Sequence, residues 1–135
     1  MRTYLNDTTT GIYSKIPATL RNAIINTTVI SSYENGKDTN YTSTDKLYLL
    51  SSEEVWGTSF IDQCESSIGT SRQLDYYSSS GAIMIKYLNG TSKAWWLRSA
   101  HSNSINHFYN VGTGGNSSEI YANYTYGVAP AFRLG

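Results

Sequence analysis

Charge is scarce in this chain: Lys and Arg together number 10, Asp and Glu 10, and the formal net charge is zero. Such a balance gives no field to attract phosphates or an anionic membrane surface, so nucleic acid is not expected as a partner. Cysteine is limited to Cys64. No intrachain disulfide and no CxxC metal or redox pair can form from one thiol, and Cys64 reads as a small buried hydrophobe. Long apolar runs are missing too. The strongest, Ala82-Ile83-Met84-Ile85, is far short of the roughly 20 residues a membrane helix needs, so no membrane insertion is expected. The opening residues, MRTYLNDTTT, lack the apolar stretch of a signal peptide. His101 and His107 are the only histidines, and their spacing matches no common zinc motif. GxSxG, P-loop and GxGxxG patterns in strand–helix context are absent, which leaves nucleophilic and phosphate chemistry without an anchor. The expectation is a protein that is not an enzyme, with no cofactor and no metal.

What is present is tyrosine, 12 residues of it, among many Ser, Thr, Asn and Gly. That mixture suits recognition, since Tyr offers large amphipathic contact area at low entropic cost and the small polar residues offer adaptable hydrogen bonds. A length of 135 residues is enough for one core and one domain over residues 1–135. Six Asn-x-Ser/Thr sequons, beginning at Asn6, Asn26, Asn40, Asn89, Asn116 and Asn123, follow from that composition and are not read as glycosylation sites.

The stretch 101–127, HSNSINHFYNVGTGGNSSEIYANYTYG, differs from the rest. Lys, Glu, Gln, Met and Trp occur 16 times in residues 1–100, and only Glu119 represents them in 101–127. At the earlier rate about four would be expected there. Those five amino acids cannot be reached from an Asn codon by changing its adenines, because the third base stays C or T. Asn, Ser, Thr, Ile, Tyr, His, Gly and Val can be reached. The segment therefore reads as a surface assembled by adenine-directed mutagenesis of an Asn-rich template. It also holds no Lys or Arg, so it cannot neutralise phosphates.

The order of elements is α first, then β. Residues 1–6 read as the tail of a helix that begins upstream. Ser14-Lys15-Ile16-Pro17 reads as a helix start, with Ile16, Leu20 and Ile24 on one face. Residues 28–32 read as a strand, the polar run 34–45 as a surface loop or hairpin tip, and 46–50 as a short apolar strand. Ser51 and Glu54 have capping-box spacing for a short helix. Residues 65–81 read as irregular. Asn89-Gly90 between apolar-rich segments signals a type I′ hairpin. Residues 107–111 and 120–124 read as strands, and 128–134 as the last, placed at an edge or bulge by Pro130. The class is α+β.

Three motifs stand out, the last two distinctive as a pair: Thr44-Asp45-Lys46-Leu47-Tyr48-Leu49-Leu50-Ser51, Trp95-Trp96-Leu97-Arg98-Ser99, and Gly127-Val128-Ala129-Pro130-Ala131-Phe132-Arg133-Leu134. Their order, after the helix tail ending in Leu5-Asn6, resembles a bacterial and phage domain family of unknown function. Members more often carry Pro after the Ser and Arg before the Pro, where this chain has Ala100 and Ala129. That family in turn resembles the C-type-lectin-fold variable proteins of diversity-generating retroelements. The resemblance implies a C-type lectin-like fold, with N-terminal helices and a small, twisted, mainly antiparallel sheet with long loops. It also implies a diversified ligand-binding face near the C-terminus, and a place on a phage virion or a bacterial cell surface.

A surface that tolerates many side chains cannot share them with the core, because changes of core volume cost several kcal/mol. The expected ligand-binding positions are His101, Asn103, Ser104, Asn106, His107, Tyr109, Gly112, Gly114, Asn116, Ser117, Ser118, Ile120, Tyr121, Asn123, Tyr124 and Tyr126, converging on one face. Phe108, Val111, Ala122, Val128, Ala131, Phe132 and Leu134 are expected as scaffold. Trp95, Trp96 and Phe132 are expected to be buried, at least two of them in one core with Leu47 or Leu49. Arg98 is expected to satisfy strand-end carbonyls rather than to catalyse. Calcium-type sugar binding lacks its ligands, since Val128-Ala129-Pro130-Ala131 carries no carboxylate and Glu119 is the sole acid after residue 75. The partner is then a protein or glycan receptor, with oligomeric state left open. The alternative is a fixed carbohydrate- or protein-binding module of a bacterial surface protein, with no mutagenic history.

Overall fold

Short helices open the chain in a computed structural model that describes residues 1–32, 40–57, 73–101 and 103–135. Helix α1 spans Arg2–Asn6, α2 Ile12–Lys15 and α3 Ala18–Ala23. Gly11 lets α1 and α2 approach closely, since a Cβ there would stand 2.0 Å from the Tyr4 carbonyl oxygen. The helix expected from Ser14 onward is split. Ile16 is extended (φ −73°, ψ 136°), as the residue before a proline must be, and Pro17 stands at the N-cap of α3. Ile16, Leu20 and Ile24 still reach one core, although Ile24 already begins strand β1, Ile24–Ile25.

Strand β1 pairs antiparallel with β9, Arg133–Leu134, and so ties the end of α3 to the last residues of the sheet region. The last strand is shorter than expected. Residues 128–130 lie outside any ladder, and only single bridges at Gly127 and Ala131 precede β9. Pro130 has no N–H to offer, which explains a broken edge there. Strand β2, Thr27–Ser32, forms a hairpin with β3, Asn40–Asp45. The polar run read as loop thus contains a strand over 40–45, while 34–39 lies outside the described residues, as does Cys64.

Residues 46–50 pair only through the Tyr48–Ala131 bridge, yet they alternate as a strand does. Leu47 and Leu49 enter one core, and Tyr48 and Leu50 the other. At Ser51 the chain turns into α4, Ser52–Trp56, through the full capping box: Glu54 N–H donates to Ser51 Oγ (3.1 Å), and Ser51 N–H donates to Glu54 Oε2 (2.7 Å). One helical turn, α5 (Asp75–Ser78), falls in the stretch expected to be irregular, whose residues 65–72 are not described. Strands β4, Lys86–Leu88, and β5, Thr91–Lys93, form the hairpin expected from Asn89-Gly90, with φ of 51° and 76° at the turn.

The centre of the fold is a three-stranded antiparallel sheet in the order β6 (Trp95–Ala100), β7 (His107–Val111), β8 (Ser117–Tyr121). One face carries Trp95, Leu97, Tyr109 and Val111, packed with Leu50, Val55 and Tyr77. The other carries Trp96 with Leu5, Ile24, Leu47 and Leu49, and Phe108 and Ile120 lean on that group. Both tryptophans are buried, but adjacent strand residues point to opposite faces, so they serve separate cores rather than the single one expected. Phe132, expected in the core, is 36% exposed on the bridge-broken edge. The result is a mixed α+β fold of short helices and small antiparallel sheets. No helix among the described residues is long and apolar enough to cross a membrane.

Candidate ligand-binding surface

The segment 101–127 leaves from the end of β6 and returns to its beginning. His101 N–H donates to the His107 carbonyl (3.0 Å), opening the way into β7. At the far end Gly127 N–H donates to Ala94 O (2.8 Å), and Trp96 N–H donates to Gly127 O (3.0 Å). Both ends are therefore clamped on one strand, and that strand is held by the sequence motifs around it. Ser52 N–H donates to Ser99 Oγ (2.8 Å) in a fully buried contact, and Trp95 Nε1 donates to Met84 O (3.0 Å). Arg98 donates through Nε to Ile30 O (3.1 Å) and through Nη1 to Leu49 O (2.9 Å), while Nη1 also meets Glu54 Oε2. The same Glu54 oxygen therefore caps α4 and pairs Arg98. Arg98 is structural, as its neighbours in sequence suggested.

Fifteen of the sixteen expected positions are exposed or half-buried. Tyr109 is the exception and a correction: at 1% exposure it belongs to the core with Leu50, Trp95 and Val111. Its reason is register. Tyr109 sits mid-strand on the same face as Val111, which pairs with Trp95. Strand β8 alternates instead. Ser117, Glu119 and Tyr121 are exposed, whereas Ser118 and Ile120 are half-buried on the Trp96 side.

Aromatic positions gather in two places. His101 stacks on Tyr109 with ring centroids 5.5 Å apart, and His107 meets Tyr121 edge-on at 4.2 Å. The two histidines lie 6.3 Å apart, which makes these four rings one cluster rooted on the buried Tyr109. On the opposite face Tyr126 tilts against Trp96 at 5.1 Å, with Tyr124 beyond it at 6.3 Å. The expectation of a single face is therefore not met: Tyr126 and Ile120 rest on the Leu47–Trp96 core, behind the sheet from His107 and Tyr121. Of the positions expected as scaffold, Val111 is buried, while Ala122 and Leu134 are exposed.

Loops complete the surface. Ser104 Oγ donates to Asn106 Oδ1 (3.0 Å), and Asn106 O accepts from Ala122 N–H (2.9 Å), which extends the β7–β8 ladder past its named end. Asn103 N–H donates to His101 Nδ1 (3.2 Å), so in the neutral ring the proton sits on Nε2. Between β7 and β8 the chain reverses through Thr113-Gly114-Gly115. Gly115 N–H donates to Gly112 O (2.9 Å), Gly112 N–H donates to Asn116 O (2.8 Å), and Gly115 has φ +84°. This is the three-residue hairpin loop whose last residue must be left-handed. A Cβ on Gly115 would also press Ile85 Cγ1 at 3.3 Å, whereas one on Gly114 would meet nothing nearer than Asn116 Oδ1 at 3.5 Å.

Sequence reasoning missed exposed residues of the segment, among them Ile105, Thr113, Glu119 and Thr125. Ile105 is 72% exposed in the 103–106 loop, between two polar residues that gave it no apolar partner. Glu119 faces outward between Ser117 and Tyr121, and period-two reading of that strand would have found it. The surface offers rings, hydroxyls, amides and one carboxylate. Among the described residues no group of three or more His, Cys, Asp or Glu could hold a metal ion.

A family model described as Domain of unknown function (DUF6273) matches residues 1–135, and the chain belongs to that family. No curated protein and no solved structure matches it.

Proposed function

We propose that this family member is a display domain: a fixed frame around β6 that presents segment 101–127 as a binding surface diversified by a retroelement through adenine-directed mutagenesis. It binds rather than catalyses, and its partner is a protein or glycan receptor met at a phage virion or bacterial cell surface. Its fold on this reading is a variant of the C-type lectin type, consistent with short helices before small antiparallel sheets. One observation carries the reading. The positions open to adenine-directed change are almost all at least partly accessible, while the flanking Trp95, Trp96, Leu97, Ser99 and Ala100 are buried. Diversification is compatible with folding only under such a division, since exposed substitutions usually move stability by about ±0.5 kcal/mol and core ones by several.

The working surface on this reading is narrower than sixteen residues. His101, His107 and Tyr121 project from the sheet around Glu119, with the 103–106 and 112–116 loops at its ends, and Tyr109 supports them from beneath. Tyr and His rings supply rigid apolar bodies with polar tips, suited to receptors of varied shape. The test is genomic. A reverse-transcriptase gene and an Asn-rich near-copy of codons 101–127 are expected beside the coding sequence. A locus with neither, in which the segment is invariant among isolates, would instead favour a fixed carbohydrate- or protein-binding module.

A further inference from the structure

A cavity of about 390 Å³ lies behind the display surface, between α1, the β2–β3 hairpin and the sheet face that carries Trp96 and Phe108. Its origin is legible in the residues. The hairpin turns Val29, Ser31, Ser43 and Asp45 inward, all of them small or polar, toward a wall of Leu47, Leu49, Trp96 and Phe108. Short side chains cannot fill the space that large apolar ones leave open, and protein interiors seldom keep voids larger than a water molecule. The volume falls within the range of small-molecule sites, and a dry cavity of about 150 Å³ already accepts benzene.

The charges on its walls are already matched. Asp45 takes the Arg2 guanidinium at 2.8 Å and the Ser43 hydroxyl at 2.6 Å, and Arg98 is held by Glu54 and two backbone carbonyls. Ser31 differs: it is a neutral hydroxyl side chain that lines the cavity in a residue only 5% exposed. An occupant therefore meets apolar and aromatic walls, charges that are already paired, and the Ser31 hydroxyl on the cavity wall as a hydrogen-bonding group.

We propose that this cavity is a binding site for a neutral, flat, ring-containing small molecule that carries one hydroxyl or carbonyl, with the ring against Trp96 and Phe108 and the polar atom on Ser31. The site lies behind the diversified surface, and its ligand stays constant while the exposed positions of 101–127 change around the scaffold residues Phe108 and Ala122. Ala122, in the turn after β8, also lines the cavity and brings it beside that segment.

The probes are 2-naphthol, naphthalene and 2-naphthoate, titrated into the whole chain by calorimetry and by amide chemical shifts. Saturable one-to-one binding of 2-naphthol is expected below about 1 mM, with shifts centred on Ser31, Trp96 and Phe108. Naphthoate is expected to bind at least tenfold more weakly, because a carboxylate finds no free cation there. Ser31→Ala should weaken 2-naphthol about tenfold and leave naphthalene unchanged. Val29→Trp, which fills the space, should abolish both. The proposal is overturned if 2-naphthol does not saturate, if its shifts centre on residues outside the cavity, or if Ser31→Ala binds it as tightly as the parent. The Ser31 comparison remains decisive should Val29→Trp fail to fold.

Discussion

Strands β6 and β8 belong to one sheet and live under opposite rules. Every residue of β6 except Arg98 is buried, because a core closes over each face of it. In β8 only one face is covered, and Ser117, Glu119 and Tyr121 stand free of the core. The two strands are separated by β7 alone, so the change from intolerance to tolerance happens across about two strand spacings, on the order of 10 Å. On the proposed display reading, a surface that tolerates change does not need a separate loop domain. It needs an edge strand whose inner residues are few and whose neighbour is anchored twice, as β7 is between β6 and β8.

The largest break in that comparison is expected at Trp95. Trp95→Ala should cost about 3–5 kcal/mol in denaturant unfolding, while Tyr121→Ala on β8 should stay within about 0.5 kcal/mol. Equal costs would erase the distinction. Arg98→Met comes next, at about 3 kcal/mol, because Glu54 is left partly buried without its cation. Arg98→Lys is expected to recover little of this, since an ammonium cannot span Ile30 O, Leu49 O and Glu54 together.

Inside segment 101–127 a finer contrast should hold between neighbouring glycines. Gly115→Ala should lose about 1–2 kcal/mol because its φ is left-handed, and Gly114→Ala almost nothing. Reversal of that order by thermal melting would mean that the β7–β8 loop has another geometry.

A smaller effect is expected in alkali. Burial, and then the Glu54 carboxylate, raise the Tyr48 phenol, and burial, then Tyr76, raise Tyr77. A raised value means that the folded state holds its proton more tightly. The associated stability is present in full below pH about 10 and is lost as pH climbs through the folded values. Tyr48→Phe or Tyr77→Phe should therefore flatten the alkaline fall in stability. An unchanged slope in both would show that neither phenol is desolvated.

Much of the frame is legible in the residues themselves. The Ser51–Glu54 capping box, the Asn89-Gly90 turn and the bounds of β7 follow from local chemistry, which acts over three or four residues. Arg98 is legible because a guanidinium beside two tryptophans has few other uses. Strand β3 is not. Its inward residues, Ser43 and Asp45, look like loop, and they are inward because Arg2 and Asn6, some forty positions away, satisfy the Asp45 carboxylate. Asn6 shows the same limit: its amide accepts from Lys46 and Leu47 N–H and donates to Leu47 O, a clamp with no local signature. Tyr109 escapes a compositional reading because composition marks which residues a segment contains, and only strand register decides which of them face inward.

The central claim is that accessible positions in 101–127 are uncoupled from the folding of the frame. Its most direct test is a library in which Asn103, Asn106, Gly114, Asn116, Ser117, Tyr121, Asn123 and Tyr124, all exposed, vary together among adenine-reachable residues, with denaturant midpoints measured clone by clone. Most clones should unfold cooperatively at midpoints near the parent's, as small independent shifts of about ±0.5 kcal/mol at each site allow. Loss of cooperative unfolding in most clones would contradict the account.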